Sequence, residues 1–141
     1  MPNTDILQEY FLPHDRFVEF IDGLRDVVKK TDVNLLNATI RIVNKDEISA
    51  LPYAKGDRFA VVLYFNQKLN EEDSAKLEEA TVELIDLAER LGGTFYLPYQ
   101  LYYSDEQLRM AYPEIDDFFR AKKLNDPEGL FSNKWFEKYG D

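Results

Sequence analysis

The sequence predicts an α+β fold: an antiparallel sheet in the split βαβ arrangement of ferredoxin-like domains, two helices packed on it, and a C-terminal helical extension. Three patterns point there. Apolar residues recur at three- and four-residue steps over 15–30 and 70–91, so each stretch is a helix with one buried face. Short runs rich in β-formers, at 8–12, 36–43, 59–65 and 95–100, fall before, between and after those helices and give the order β-α-β-β-α-β. Beyond residue 104, a Ser-x-x-Gln start and a Tyr-Pro step mark further short helices.

Taken in order, 8–12 is aromatic and apolar, and Pro13 stops it. Phe17, Phe20, Ile21, Leu24, Val27 and Val28 form the buried stripe of the first helix, which His14 or Asp15 can cap, while Lys29 and Lys30 suit the negative end of its dipole. In the second strand, Leu36, Ala38, Ile40 and Ile42 alternate with Asn37, Thr39, Arg41 and Val43, which sets Arg41 and Asn37 on a polar face. Pro52, Gly56 and scattered charges make 44–58 a long connection. The unbroken apolar run 59–65 suits a central strand covered on both faces.

Asn70-Glu71-Glu72-Asp73 resembles a capping box, and it opens a helix whose stripe is Leu77, Ala80, Leu84, Leu87, Ala88 and Leu91. Gly92 is its C-cap. The strand at 95–100 sets Tyr96, Pro98 and Gln100 on one face and Phe95, Leu97 and Tyr99 on the other, with Pro98 confining it to an edge or a strand end. Ser104 and Gln107 form a capping box for a short helix that Pro113 ends, and Pro113 then opens the next as its first residue, burying Ile115, Phe118 and Phe119.

Composition narrows the function. With 141 residues, 45% of them hydrophobic, the chain is expected to fold as one compact domain over 1–141. A net charge of −10 repels phosphate backbones, so no nucleic acid is expected. No apolar segment reaches the length of a membrane span and the first residues lack a signal pattern, so a cytoplasmic product is expected. Without cysteine there is no disulfide, thiolate ligand or cysteine nucleophile. Nine tyrosines and ten phenylalanines are a heavy aromatic load; most read as ordinary core, and part of them can face a ligand or partner.

The catalytic inventory is poor. His14 is the single histidine, lies at a strand-to-helix junction, and reads as structural. Carboxylates crowd the solvent side of the second helix, no Gly-rich phosphate cradle follows a strand, and Gly92-Gly93 follows a helix instead of opening one. No residue is assigned a catalytic or metal-binding role. Binding candidates are better. Arg41, beside Asn37 and Thr39, can donate to a hydroxyl, a carboxylate or a flavin oxygen, or can serve a sheet-surface salt bridge. Tyr96, Tyr99, Gln100 and Tyr102 combine phenols and an amide suited to gripping a polyol, or fill an aromatic core. Lys122, Lys123 and Asp126 read as structural, and Asn133 as tying down the turn after it.

Three blocks carry a resemblance: Gly92-Gly93-Thr94-Phe95-Tyr96-Leu97-Pro98-Tyr99-Gln100, Tyr112-Pro113-Glu114-Ile115-Asp116-Asp117-Phe118-Phe119, and Asn125-Asp126-Pro127-Glu128-Gly129-Leu130-Phe131-Ser132-Asn133. In order and spacing they resemble the C-terminal part of FAD-linked oxidases and dehydrogenases of the vanillyl-alcohol oxidase class, nearest to aldonolactone and alditol oxidases and decaprenylphosphoryl-ribose oxidases. The resemblance implies a substrate-binding cap whose FAD is held mainly by an upstream flavin-binding domain, of the same or a separate chain. It implies a sugar, polyol or lactone-like substrate, and it places Arg41, Asn37, Tyr96, Tyr99, Gln100 and Tyr102 toward substrate or flavin. Lactone and alditol oxidases tend to read His-Trp-Gly-Lys where this chain has Tyr96-Leu97-Pro98-Tyr99, so their substrate assignments do not carry over. The alternative is a stand-alone ferredoxin-like module binding a small ligand or a protein. A homodimer is compatible with either.

Overall fold

A computed structural model describes residues 2–140. β1 (Asn3–Pro13) leads through a 3-10 turn (His14–Arg16) into α1 (Phe17–Thr31), β2 (Leu35–Val43), β3 (Arg58–Lys68), α2 (Glu71–Arg90) and β4 (Thr94–Phe95). Three shorter helices follow: α3 (Asp105–Ala111), α4 (Ile115–Asn125) and α5 (Lys134–Tyr139). The sheet order is β2-β3-β1-β4 and every neighbouring pair is antiparallel. Each β-α-β unit therefore straddles one strand of the other, which is the ferredoxin-like arrangement expected from the sequence.

Register decides what faces what. Glu9 pairs with Val62 and Phe11 with Ala60, while on the far side of β3 Thr39 pairs with Val62 and Arg41 with Ala60. Because side chains alternate across a strand, these residues share one face, and Tyr10, Leu12, Val61, Leu63 and Phe65 share the other. The second set packs with Phe20, Leu24, Leu77, Leu84 and Ala88 into the core. Each large apolar side chain buried there contributes about 1.5–3 kcal/mol relative to exposure. The first set forms a face that no helix covers; loop residues such as Tyr53 bury Phe11 and Ala60 at one end of it, while Val62 and Tyr64 are half-buried, so the expected cover of β3 on both faces is only partial.

Local chemistry explains most boundaries. β1 starts well before the apolar run at 8–12 because polar cross-strand bonds extend it: Tyr64 Oη donates to Asp5 Oδ2 at 2.7 Å, and Asn66 Nδ2 to Asp5 Oδ1 at 2.7 Å. Neither His14 nor Asp15 caps α1; they sit inside the 3-10 turn, and the His14 ring packs 4.3 Å from Phe59. Asn70 caps α2 by accepting from the Asp73 N–H at 2.7 Å, and Gly92 follows its end at φ 71°. Gly93 lets β4 enter, since a Cβ there would stand 2.6 Å from the Phe11 carbonyl oxygen.

The largest departure is at 95–100. β4 ends at Phe95, and the chain turns at Leu97-Pro98 instead of continuing, because Pro98 has no N–H for the ladder. The predicted two-face alternation of Tyr96 to Gln100 is therefore lost. Ser104 and Gln107 make the full capping box of α3. α4 begins at Ile115 with Glu114 as its N-cap, so Pro113 lies in the preceding turn and is not the first helical residue.

Candidate functional site

One end of the open sheet face is walled into a pocket of about 350 Å³ lined by Glu9, Phe11, Arg41, Tyr53, Tyr96 and Tyr99. Glu9 lies on β1 and Arg41 on β2, with β3 between them. The guanidinium reaches across Ala60, the small residue paired with both Arg41 and Phe11, and closes an ion pair with the Glu9 carboxylate. The contact is diagonal, since Glu9 stands in the row of Val62 and Thr39: it crosses two inter-strand spacings of about 4.8 Å each and one same-face step along the strand, which the two extended side chains close together. The pair is lopsided: Glu9 is 6% exposed and Arg41 57%. The carboxylate is thus the floor and the guanidinium the rim, with donors to spare on a group that carries five.

Aromatic rings build the walls. Tyr53, from the 44–57 connection, stacks on Phe11 with centroids 4.5 Å apart; Tyr96 stands edge-on to Tyr53 at 5.8 Å; Tyr99 stands edge-on to Tyr96 at 5.2 Å. Backbone contacts hold them. The Tyr96 N–H donates to the Glu9 carbonyl at 3.0 Å, and the Thr94 hydroxyl donates to the Tyr53 carbonyl, tying the long connection to β4. Burial, then the Glu9 carboxylate and Tyr96, push the Tyr99 phenol above its usual range, with Arg41 opposing. Tyr99 therefore remains a hydrogen-bond donor through neutral pH.

The predicted site residues divide. Arg41, Tyr96 and Tyr99 converge on this pocket. Asn37 shares Arg41's face of β2 and is exposed, but it lies outside the pocket. Gln100 meets Glu9, Tyr96 and Tyr99 around a small neighbouring cavity, and with Tyr102 it also lines a separate, mainly apolar groove of about 740 Å³ beside Leu51, Leu97 and Trp135; Tyr99 is a wall common to all three. Tyr102 also sits near Glu78 of α2, and burial first, then that carboxylate, raises its phenol. Glu9, Phe11 and Tyr53 were not anticipated. Glu9's signal was a lone charge in the otherwise aromatic and apolar run Tyr10-Phe11-Leu12, where a buried acid requires a cation.

A family model described as D-arabinono-1,4-lactone oxidase matches residues 4–139. The chain belongs to that family. No curated protein sequence matches it. Within this lactone oxidase family member the three sequence blocks take distinct structural parts. The first supplies β4 and the pocket wall. The second anchors it, the buried Tyr112 hydroxyl donating to the Phe95 carbonyl. The third is a structural knot: Asp126 pairs with Lys122 and accepts from the Leu130 and Phe131 N–H groups at 2.8 and 3.0 Å, and Asn133 caps α5 by accepting from Phe136 at 2.8 Å. Membership makes the chain an oxidase-associated region of the aldonolactone oxidase type. Among the described residues no helix is long and apolar enough to cross a membrane.

Proposed function

We propose that residues 1–141 are the substrate-binding cap of an FAD-dependent oxidoreductase acting on an alcohol carbon of a sugar, polyol or aldonolactone, inactive without a flavin-binding domain of the same or a separate chain. The observation that carries this reading is the Glu9–Arg41 pair beneath aromatic walls on an otherwise uncovered sheet face. A polyol offers hydroxyls to both partners: Glu9 accepts from an O–H, Arg41 and the Tyr99 phenol donate to oxygens, and the rings of Tyr53 and Tyr96 cover C–H faces.

The residues fit part of an FAD. Arg41, Tyr96 and Tyr99 present donors and ring faces to a flat group bearing carbonyl and nitrogen acceptors. Nothing among the described residues cradles a pyrophosphate: Gly92 ends α2, and the Cβ direction of Gly93 is filled by Phe11 and Leu12. FAD, when bound by the flavin domain, supplies the hydride acceptor. This chain's residues orient the substrate carbinol through Glu9 and Arg41 and exclude water with the aromatic walls.

The test is to purify the chain, measure its flavin content, and titrate it with a neutral aldonolactone and a polyol while following amide shifts. The expected result is no stoichiometric flavin, no turnover, and shifts confined to Glu9, Arg41, Tyr53, Tyr96 and Tyr99. Stoichiometric flavin, or shifts clustered elsewhere, would overturn it. The apolar groove favours the second reading, a stand-alone module. Tight binding of an apolar ligand there, with none in the Glu9 pocket, would establish that reading instead.

A further inference from the structure

β2 is an outer strand of the sheet, so one side of its backbone has no paired strand among the described residues. Such edges are commonly guarded by lysine, proline or inward charges. Leu35–Val43 has no Pro or Lys, and Leu36, Ile40 and Ile42 are exposed, Ile42 by 75%. Its sequence is nearly symmetric about Thr39. An antiparallel copy turned about Thr39 sets Ala38 against Ile40, Leu36 against Ile42, and Asn37 against Arg41. Apolar meets apolar, polar meets polar, and the guanidinium meets an amide instead of a second guanidinium. The bulge between Leu35 and Asn37 falls at the end of this segment and leaves its centre regular. Charge favours the same place. The chain carries −10, yet β2 has no acidic residue and its single charge, Arg41, is compensated by Glu9, so two copies meet there without direct charge repulsion along the strand.

We propose that β2 is an interface between two copies of this chain, paired antiparallel about Thr39 into a continuous eight-stranded sheet, and that Asn37 of each copy completes the other's pocket beside Arg41. Directly opposed residues in such a pair have Cβ atoms about 4.5–5.5 Å apart, close enough for the Asn37 amide to join a ligand held at Arg41. The two open faces then form one surface with two pockets flanking the dyad. The pairing stands on the edge alone; the role of Asn37 rests on the reading of the pocket as a polyol site.

Sedimentation of the purified chain should give a dimer that strengthens with salt, because screening weakens the repulsion between two acidic bodies. Thr39 is exposed, so Thr39→Lys is tolerated in the monomer, but it places two ammonium groups face to face at the dyad. The variant should be monomeric with an unchanged circular dichroism spectrum. Because the chain has no cysteine, Thr39→Cys introduces a sole thiol that should cross-link two copies under mild oxidation, while Ser132→Cys should not. A wild type that stays monomeric, a dimer that survives Thr39→Lys, or equal cross-linking at both positions overturns the pairing. Asn37→Ala should weaken polyol binding several-fold in the dimer and leave it unchanged when the protein is diluted to monomer. A dimer that binds no polyol or lactone removes the pocket reading and leaves the interface intact.

Discussion

Replacing Arg41 with methionine keeps the stem that crosses Ala60 and removes the charge that meets Glu9. The carboxylate is then stranded at 6% exposure beneath the aromatic walls. Stranding one partner of a fully buried pair costs about 3–5 kcal/mol, and the exposure of Arg41 places this pair below that, at about 2 kcal/mol. For a domain of this size each kcal/mol moves Tm by roughly 3–5 °C, so Arg41→Met should lower it by roughly 6–10 °C. Glu9→Gln acts differently. It leaves a neutral amide that still accepts from the guanidinium, and Arg41, half in solvent, is readily hydrated; the loss should stay under about 1 kcal/mol. The double variant should then be more stable than Arg41→Met alone, because the stranded charge is gone. Thermal melts of the four proteins close the cycle. Equal losses in the two single variants, or strict additivity in the double, would refute the picture of a buried carboxylate that depends on a rim arginine.

Gly93→Ala should lower Tm by roughly 3–15 °C, since the new Cβ meets the Phe11 and Ala88 carbonyl oxygens at 2.6 and 3.0 Å and overpacking of that kind costs about 1–3 kcal/mol; a neutral melt would mean β4 can move aside. Glu89, half-buried near Asp86 and Glu106, has its carboxyl pushed from 4.5 to about 7, chiefly by burial. A carboxyl raised on folding holds its proton only in the folded state between those values, so stability falls as pH climbs through them, and Glu89→Gln should gain about 1 kcal/mol above pH 7 and nothing near pH 4. A gain that is the same at both ends, read from melts across pH, would exclude that cause. Asp126 runs the other way: the Lys122 ammonium first, then the Phe131 and Leu130 N–H groups, hold it down from 3.8 to about 2. Its contribution is present above pH 4 and lost as pH falls toward 2, so amide protection at Leu130 and Phe131, measured against the intrinsic exchange rate at each pH, should fall over that window in the wild type and be low throughout in Asp126→Ala.

The sheet and its helices were legible because their patterns are periodic. β2 showed its two faces through strict alternation, and α2 its stripe from Leu77 to Leu91, all of it buried. Arg41, Tyr96 and Tyr99 were legible for the same reason or through the sequence blocks around them. Glu9 was not. In β1 the aromatic and apolar residues run on both faces, since Phe11 is buried under Tyr53 while Tyr10 enters the helix-side core, and period two disappears where both faces are covered. The directions of Gln100 and Tyr102 were illegible for a simpler reason. Pro98 ends the ladder, and beyond it a strand's alternation says nothing about direction.

β4 contributes only Thr94 and Phe95 to the sheet, yet the Tyr96 to Tyr102 segment that walls both cavities hangs from it. Its far end is secured separately, by the capping box of α3 and by the Tyr103 hydroxyl on the Leu97 carbonyl at 3.0 Å. If the pocket is the substrate site proposed above, ligand preference is written in a short strap between two fixed posts, and insertions, deletions or wholesale exchange within it can retune the pocket without refolding the scaffold. For engineering, this strap is the segment to randomise first, with Glu9 and Arg41 left in place as the constant half of the grip.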